Sequence, residues 1–173
     1  MNRVLVLGCP GAGKTTFARR LAKRTGLDVV HLDAVWHRSD RTHLTREEFD
    51  KRLETLLARD RIILDGHYSR TLERRLAACD TVFLFDLPVQ TCLAGARARL
   101  GREREDLPFV DEELSEELAE RIRDFSRSAL PEAMTLIEKH RAGRQIVIFH
   151  SRTEADDYLS RLGGRDEAWE EEK

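Results

Sequence analysis

The 173 residues carry 30 lysines and arginines against 32 aspartates and glutamates, a formal charge of −2. Such a balance exerts no bulk pull on nucleic acid or an anionic membrane, and no apolar run approaches the roughly 18 residues of a membrane span. The length suits one domain with a substantial core.

The first expected strand, about residues 3–7, holds Val4-Leu5-Val6-Leu7. It starts after three residues, which leaves no room for a signal peptide at that end. Gly8-Cys9-Pro10-Gly11-Ala12-Gly13-Lys14-Thr15 follows and fits the phosphate-binding pattern G-x-x-x-x-G-K-[ST]. Helix one, about 14–24, closes at Gly26. The glycines let successive backbone N–H groups curl around phosphate oxygens. Lys14 reaches the β- and γ-phosphates, Thr15 can ligate Mg²⁺, and the new helix adds its positive dipole end. Gly8, Gly11, Ala12, Gly13, Lys14, Thr15 and Thr16 form the expected nucleotide-binding set.

Strand two is Val29-Val30-His31-Leu32, ending in Asp33, before a polar loop with Trp36 and Arg41. Thr45 and Glu48 read as a capping box, and Phe49, Leu53, Leu56 and Leu57 give the next helix one apolar face. Strand three, residues 61–64, ends in Asp65-Gly66-His67-Tyr68. A short helix with Leu72 and Leu76 leads to strand four, residues 81–85. Asp86 reads as a cap for a helix that runs to about Leu100. Leu114, Leu118, Ile122 and Phe125 stripe the following helix, and Pro131 breaks it or starts another. Strand five is residues 145–149, and a last helix carries Ala155, Leu159 and Leu162. Residues 163–173 are mostly charged, which reads as a disordered tail. Alternating strands and helices predict an α/β fold with a parallel sheet covered on both faces.

Cys9, Cys79 and Cys92 show no C-x-x-C spacing, so the count reads as a reducing cytoplasm without disulfides or zinc. The six histidines form no H-x-x-x-H pair, which argues against a metal cluster.

Parallel sheets place ligands at the carboxyl ends of their strands. Asp65 sits there as a Mg²⁺-organising carboxylate beside Thr15, or as a turn cap. Asp33 would meet a phosphoryl acceptor's hydroxyl, or simply end a strand. Arg97, Arg99, Arg102 and Arg104 read as a lid over a triphosphate, a nucleic-acid patch or a solvated helix end. No aromatics interleave with them, which argues against nucleic acid. Arg121 lies beside the apolar stripe of its helix, where an arginine must snorkel out or find a buried anion. Trp36 either stacks on an acceptor or packs against the sheet.

Together these motifs resemble nucleoside monophosphate kinases of the adenylate kinase type. They are more similar still to the adenylate-kinase-like proteins called DNA topology modulation or FlaR-type. That likeness runs over about residues 1–162, through Leu32-Asp33, Trp36, residues 63–69, Asp86-Leu87-Pro88, Cys92-Leu93, Arg104-Glu105-Asp106 and Ser151-Arg152. The resemblance implies a three-layer P-loop NTPase fold with five strands in order 2-3-1-4-5, ATP and Mg²⁺. It also implies one domain over 1–162 with a short arginine-rich lid at about 100–113. Arg99 and Arg104 match lid arginines, Arg121 an arginine on the transferring phosphate, and Ser151 and Arg152 the loop bordering adenine. Gly95 stands where an arginine is usual, and Asp65-Gly66-His67-Tyr68-Ser69-Arg70 replaces Asp-Gly-Phe-Pro-Arg, which weakens AMP as the acceptor.

The first reading is therefore an ATP-dependent kinase of a small hydroxyl- or phosphate-bearing acceptor. In it Lys14, Asp33, Arg99, Arg104 and Arg121 act on the reacting groups, Thr15 and Asp65 hold Mg²⁺, and neither membrane nor nucleic acid is a partner. The alternatives are a nucleotide-dependent switch acting on a macromolecule, and a binding module without catalysis. A guanine switch needs Asn-Lys-x-Asp, and the sole asparagine is Asn2.

Overall fold

Apolar residues fill both faces of the first strand. In β1 (Arg3–Gly8), Val4 and Val6 lie in one core cluster and Leu5 and Leu7 in another, and all four are buried. A strand buried on both faces belongs inside a parallel sheet with helices on each side. The computed structural model, which describes residues 1–162, has that architecture.

After β1 come α1 (Lys14–Thr25), β2 (Val29–His31), α2 (Leu32–Trp36), α3 (Arg46–Leu57), β3 (Ile62–Asp65) and α4 (Ser69–Ala78). Then follow β4 (Thr81–Phe85), α5 (Val89–Arg97), α6 (Glu116–Asp124), α7 (Ala129–Lys139), β5 (Gln145–Phe149) and α8 (Arg152–Arg161). The strands run β2-β3-β1-β4-β5, all parallel, as the resemblance implies. One face packs on α1, α5, α6 and α8, where the Phe17 ring meets Phe83 at 4.9 Å, Phe149 at 5.3 Å and Phe85 at 5.4 Å, edge-on. The other face packs on α3, α4 and α7 through Phe49, Leu53, Leu72, Leu76 and Ile137. The capping box forms: Thr45 Oγ1 accepts from the Glu48 N–H at 3.2 Å, and the Glu48 carboxylate accepts from the Thr45 N–H at 2.7 Å.

Several boundaries differ from the sequence reading. Strand two was expected to end in Asp33, but it stops at His31. Its last register partner is Asp65, where β3 also ends, so Leu32 and Asp33 have no ladder to join. Leu32 instead starts α2 and is buried. Asp86 does not cap α5. The N-cap there is Pro88, and Asp86 faces His150 at 3.4 Å across the β4 and β5 ends. The arginine-rich helix ends at Arg97, three residues earlier than expected. Leu114 precedes α6, whose cap is Ser115. Pro131 lies in the first turn of α7, where its missing N–H costs nothing. The expected disordered tail, 163–173, lies outside the described residues.

One close approach fixes the phosphate loop. A Cβ on Gly11 would lie 2.1 Å from the Cys92 carbonyl oxygen, and a Cβ on Gly95 would lie 2.1 Å from the Gly11 carbonyl oxygen. The loop and α5 thus touch backbone to backbone, which explains the glycine at 95. Gly95→Ala should lower the unfolding free energy by about 1–3 kcal/mol, the usual cost of overpacking a tight contact. A urea midpoint unchanged from the parent would show that the loop yields freely.

Candidate functional site

Three glycines with positive φ shape the loop between β1 and α1: Gly8 at 137°, Gly11 at 79° and Gly13 at 104°. Side chains disfavour that region of backbone space, so glycine is required there. Gly13 caps α1 without a side chain, which leaves the helix N-terminus facing a cleft of about 830 Å³. Gly11, Gly13, Lys14, Thr15, Thr16, Arg99, Arg104 and Arg152 line it. Of the other expected loop residues, Ala12 is fully buried, and Gly8 packs so closely on Phe85 that a Cβ would lie 2.5 Å from its carbonyl oxygen. The Cys9 carbonyl accepts from Lys14 Nζ at 2.8 Å and from the Ala12 N–H at 3.2 Å.

Ser151 caps α8 by accepting from the Glu154 N–H at 3.1 Å. Arg152 then reaches back to the loop, donating to the carbonyls of Gly11 at 2.8 Å and Ala12 at 3.3 Å. Its Nη2 lies 2.3 Å from where a Gly95 Cβ would stand. The guanidinium beside Gly95 thus comes from the first residue of α8.

The most concentrated charge surrounds Thr15. Its hydroxyl lies 2.8 Å from Asp65 Oδ2 and 3.1 Å from Asp106 Oδ2. One hydroxyl proton serves one carboxylate at a time, so two buried carboxylates crowd one oxygen. Asp65 is 3% exposed, and its Oδ1 is buried without a hydrogen-bond partner among the described residues. His31 Nδ1 meets Asp65 Oδ2 at 2.8 Å. Burial works against charging this imidazole, but the Asp65 hydrogen bond and charge, with Asp106 and Glu105 behind them, outweigh it and raise its pKa. Burial likewise opposes ionising Asp106, yet Arg104, bonded to both its oxygens at 2.9 and 2.6 Å, holds its carboxyl below the usual range. Arg99, beside them, has its pKa lowered by burial and then by the Arg104 charge. Among the described residues, no group of three or more His, Cys, Asp and Glu side chains is arranged to hold a metal. An orphaned carboxylate oxygen next to a crowded hydroxyl nevertheless fits a hard cation that takes its remaining oxygens elsewhere.

Across β3, Asp33 Oδ1 accepts from the Tyr68 hydroxyl at 2.8 Å. Burial, then the Asp33 charge and hydrogen bond, push that phenol's pKa up. Trp36 resolves in favour of packing: His43 stacks on its ring at 4.7 Å and Phe49 meets it edge-on at 5.4 Å. Burial, then Lys14 and Arg75, push the pKa of His67 down to about 3, so its ring is neutral. Arg121 is exposed rather than sunk beside its stripe, and among the described residues it makes no ion pair or hydrogen bond. Its charge is felt at Cys9, His37, His67 and Tyr68, which places it on the phosphate-loop and Asp33 side of the sheet end. Arg123, on the far face, pairs with Glu116 at 2.5 Å.

The α5–α6 connection bridges these two halves. Glu105 pairs with Arg19 of α1 at 3.0 Å, and Asp106 reaches Thr15. At its other end, Arg41 donates to the Val110 carbonyl at 2.6 Å and lies 4.7 Å over the Phe109 ring. The sequence reading assigned no role to His31, Tyr68, Arg75 or Asp106. Asp106 stands two residues after Arg104 and His31 two before Asp33, and those spacings are the only sequence signals for them.

The family model for the AAA domain, AAA_33, matches residues 4–132. Adenylate kinase of Thermotoga petrophila is 28% identical over 88 residues, 50% of this chain and 39% of the relative. The match thus spans about two fifths of that relative's length. Shikimate kinase from Acinetobacter baumannii, solved with shikimate, superposes with a TM-score of 0.58 at 20% identity, covering 94% of this chain and 91% of that one. Shikimate kinase from Bacteroides thetaiotaomicron gives 0.59 at 15% identity, covering 93% and 96%. Both solved structures share the fold.

The raised pKa of His31 has a definite sign in stability. The unfolded imidazole titrates near about 6.5. The His31–Asp65 contribution is fully present below that value and is lost as pH rises through the higher folded one. The stability difference between the parent and His31→Gln, measured in urea without added divalent metal, should be largest between about pH 5 and 6 and shrink above. A difference that grows with pH would contradict this.

Proposed function

The chain belongs to the AAA_33 family of AAA domains, and from that premise we propose that it is a Mg²⁺-ATP-dependent kinase. Its substrate is a small hydroxyl- or phosphate-bearing acceptor. Within that class we group it with the FlaR-type, adenylate-kinase-like proteins, on the motifs from Leu32-Asp33 to Ser151-Arg152. It works in the cytoplasm as one domain over 1–162. The observation that carries the reading is Asp33. This carboxylate is held at one oxygen by Tyr68, and its charge is felt at both Arg99 and Arg104. A nucleotide switch has no need of a hydroxyl-orienting carboxylate so close to its phosphate arginines.

Each residue then has a physical task. The loop amides and Lys14 hold the triphosphate, with the α1 N-terminus adding its dipole. Arg152 braces the loop carbonyls on the adenine side, next to Ser151. Thr15 and Asp65 would hold Mg²⁺, which when bound supplies charge neutralisation to the phosphates. Arg99, Arg104 and Arg121 stabilise charge on the moving phosphoryl group. Asp33 Oδ2 orients the acceptor's hydroxyl and takes its proton. Residues 100–113 act as a lid that excludes water, anchored at Arg19 and Thr15 on one side and at Arg41 on the other.

The test is ATP consumption with Mg²⁺ against a panel of nucleosides, nucleoside monophosphates and hydroxylated metabolites. One compound should stimulate turnover, and Asp33→Asn should reduce that stimulation by about 10²-fold or more. ATP binding without stimulation by any compound would move the assignment to a switch. Arg121→Ala should lower kcat by about 10²- to 10³-fold, as for other groups that bind transition-state charge, with ATP affinity little changed. Unchanged turnover would remove Arg121 from the mechanism.

A further inference from the structure

Arg75 of α4 is fully buried and, among the described residues, faces no carboxylate. Burial alone pulls its pKa down to about 10. An unpaired guanidinium in a core is costly, and an apolar residue of similar size would fill the space without that cost. The helix does not need it as an anchor, since Thr71, Leu72 and Leu76 are buried on the same side. Its two terminal nitrogens donate to three consecutive carbonyls, while Nε is buried without a partner among the described residues. Nη1 donates to Gly66 at 2.8 Å, and Nη2 donates to Tyr68 at 2.9 Å and to His67.

Those carbonyls belong to a turn whose backbone a tyrosine does not favour. Gly66 has φ 144°, and Tyr68, which is not a glycine, sits in the left-handed region at φ 40° and ψ 70°. Such a conformation persists only where the surroundings over-determine it. It delivers the Tyr68 ring between Phe49, stacked at 5.2 Å, and Asp33, which accepts its hydroxyl at 2.8 Å.

We propose that Arg75 is a positioning residue: by gathering the 66–68 carbonyls it aims the Tyr68 hydroxyl at Asp33 and so fixes which carboxylate oxygen is left for the acceptor. The functional half of this rests on the kinase reading; the positioning half does not.

The chain has two tyrosines, so Tyr158→Phe leaves Tyr68 as the single phenol. In that background, phenolate absorbance is followed against pH, with circular dichroism reporting the fold. The parent phenol should titrate above its ordinary value near 10. Arg75→Met should release the hydroxyl from Asp33 and lower the midpoint from the parent's, the lost Asp33 contact outweighing the lost Arg75 charge, which alone would raise it. Adding Asp33→Asn to it should then move the midpoint no further. Arg75→Lys keeps the charge but its single ammonium cannot span three carbonyls, so it should give the same fall if the methionine variant does not fold. A folded variant in which the phenol titrates as in the parent overturns the proposal.

The second readout is Mg²⁺-ATP consumption with the panel compound that stimulates turnover. Arg75→Met and Tyr68→Phe should each lower kcat, by up to about 10²-fold for a misplaced group, and the pair no further, with KM for ATP unchanged. Additive losses, or a change confined to KM, count against positioning. A parent that binds ATP and is stimulated by no compound of the panel sinks the kinase reading alone, and the phenol titration still decides the role of Arg75.

Discussion

One buried carboxylate ties the phosphate loop to the end of β2. Asp65 ends β3, next to the first strand, and is almost wholly removed from water. A charge so placed must be partnered, because desolvation penalises it heavily. Its partners come from opposite sides. Thr15 brings in the phosphate loop and α1, and His31 brings in the end of β2 and, through it, the Asp33 segment. Moving any of the three would disturb the other two.

The same logic of coupled halves continues outward. Asp106 joins the α5–α6 connection to Thr15, while Arg41 joins its far end to the α2–α3 loop. The connection has almost no regular structure of its own, only the isolated Arg104–Leu107 bridge. Its position is therefore set by charge and not by ladder hydrogen bonds. Interactions of that kind are sensitive to competing ions, and in the proposed function a triphosphate would compete for the same arginines.

How far the sequence reveals this depends on the range of the interaction. The phosphate loop, the capping box at Thr45 and the alternation of strands and helices are legible because loop chemistry, local pairs and apolar periodicity set them, whereas the strand order comes only with the family resemblance. Asp65 is legible as a carboxylate at a strand end, while Asp33 falls just past one, inside α2, and Arg99 and Arg104 lie beyond α5 in its connection to α6. Their partners are not legible. Nothing local in the sequence links His31 to Asp65 or Arg152 to Gly11 and Gly95, because those contacts join segments 34 and more than 50 residues apart. The extent of β2 misleads for a related reason: Leu32 is apolar enough to continue a strand, and only the end of β3 at Asp65 stops it. Arg75 reads as an ordinary charged residue on a short helix until its burial and its three carbonyls are seen.

The most direct test of the account is the Mg²⁺ dependence of ATP binding, measured by calorimetry on the parent and on Asp65→Asn. If Asp65 is the junction between loop, cation and acceptor side, the parent binds ATP more tightly with Mg²⁺ than without, and Asp65→Asn loses that enhancement while keeping its metal-free affinity. An enhancement of equal size in both proteins would contradict the placement of the cation at Thr15 and Asp65, and with it the arrangement on which the proposed transfer depends.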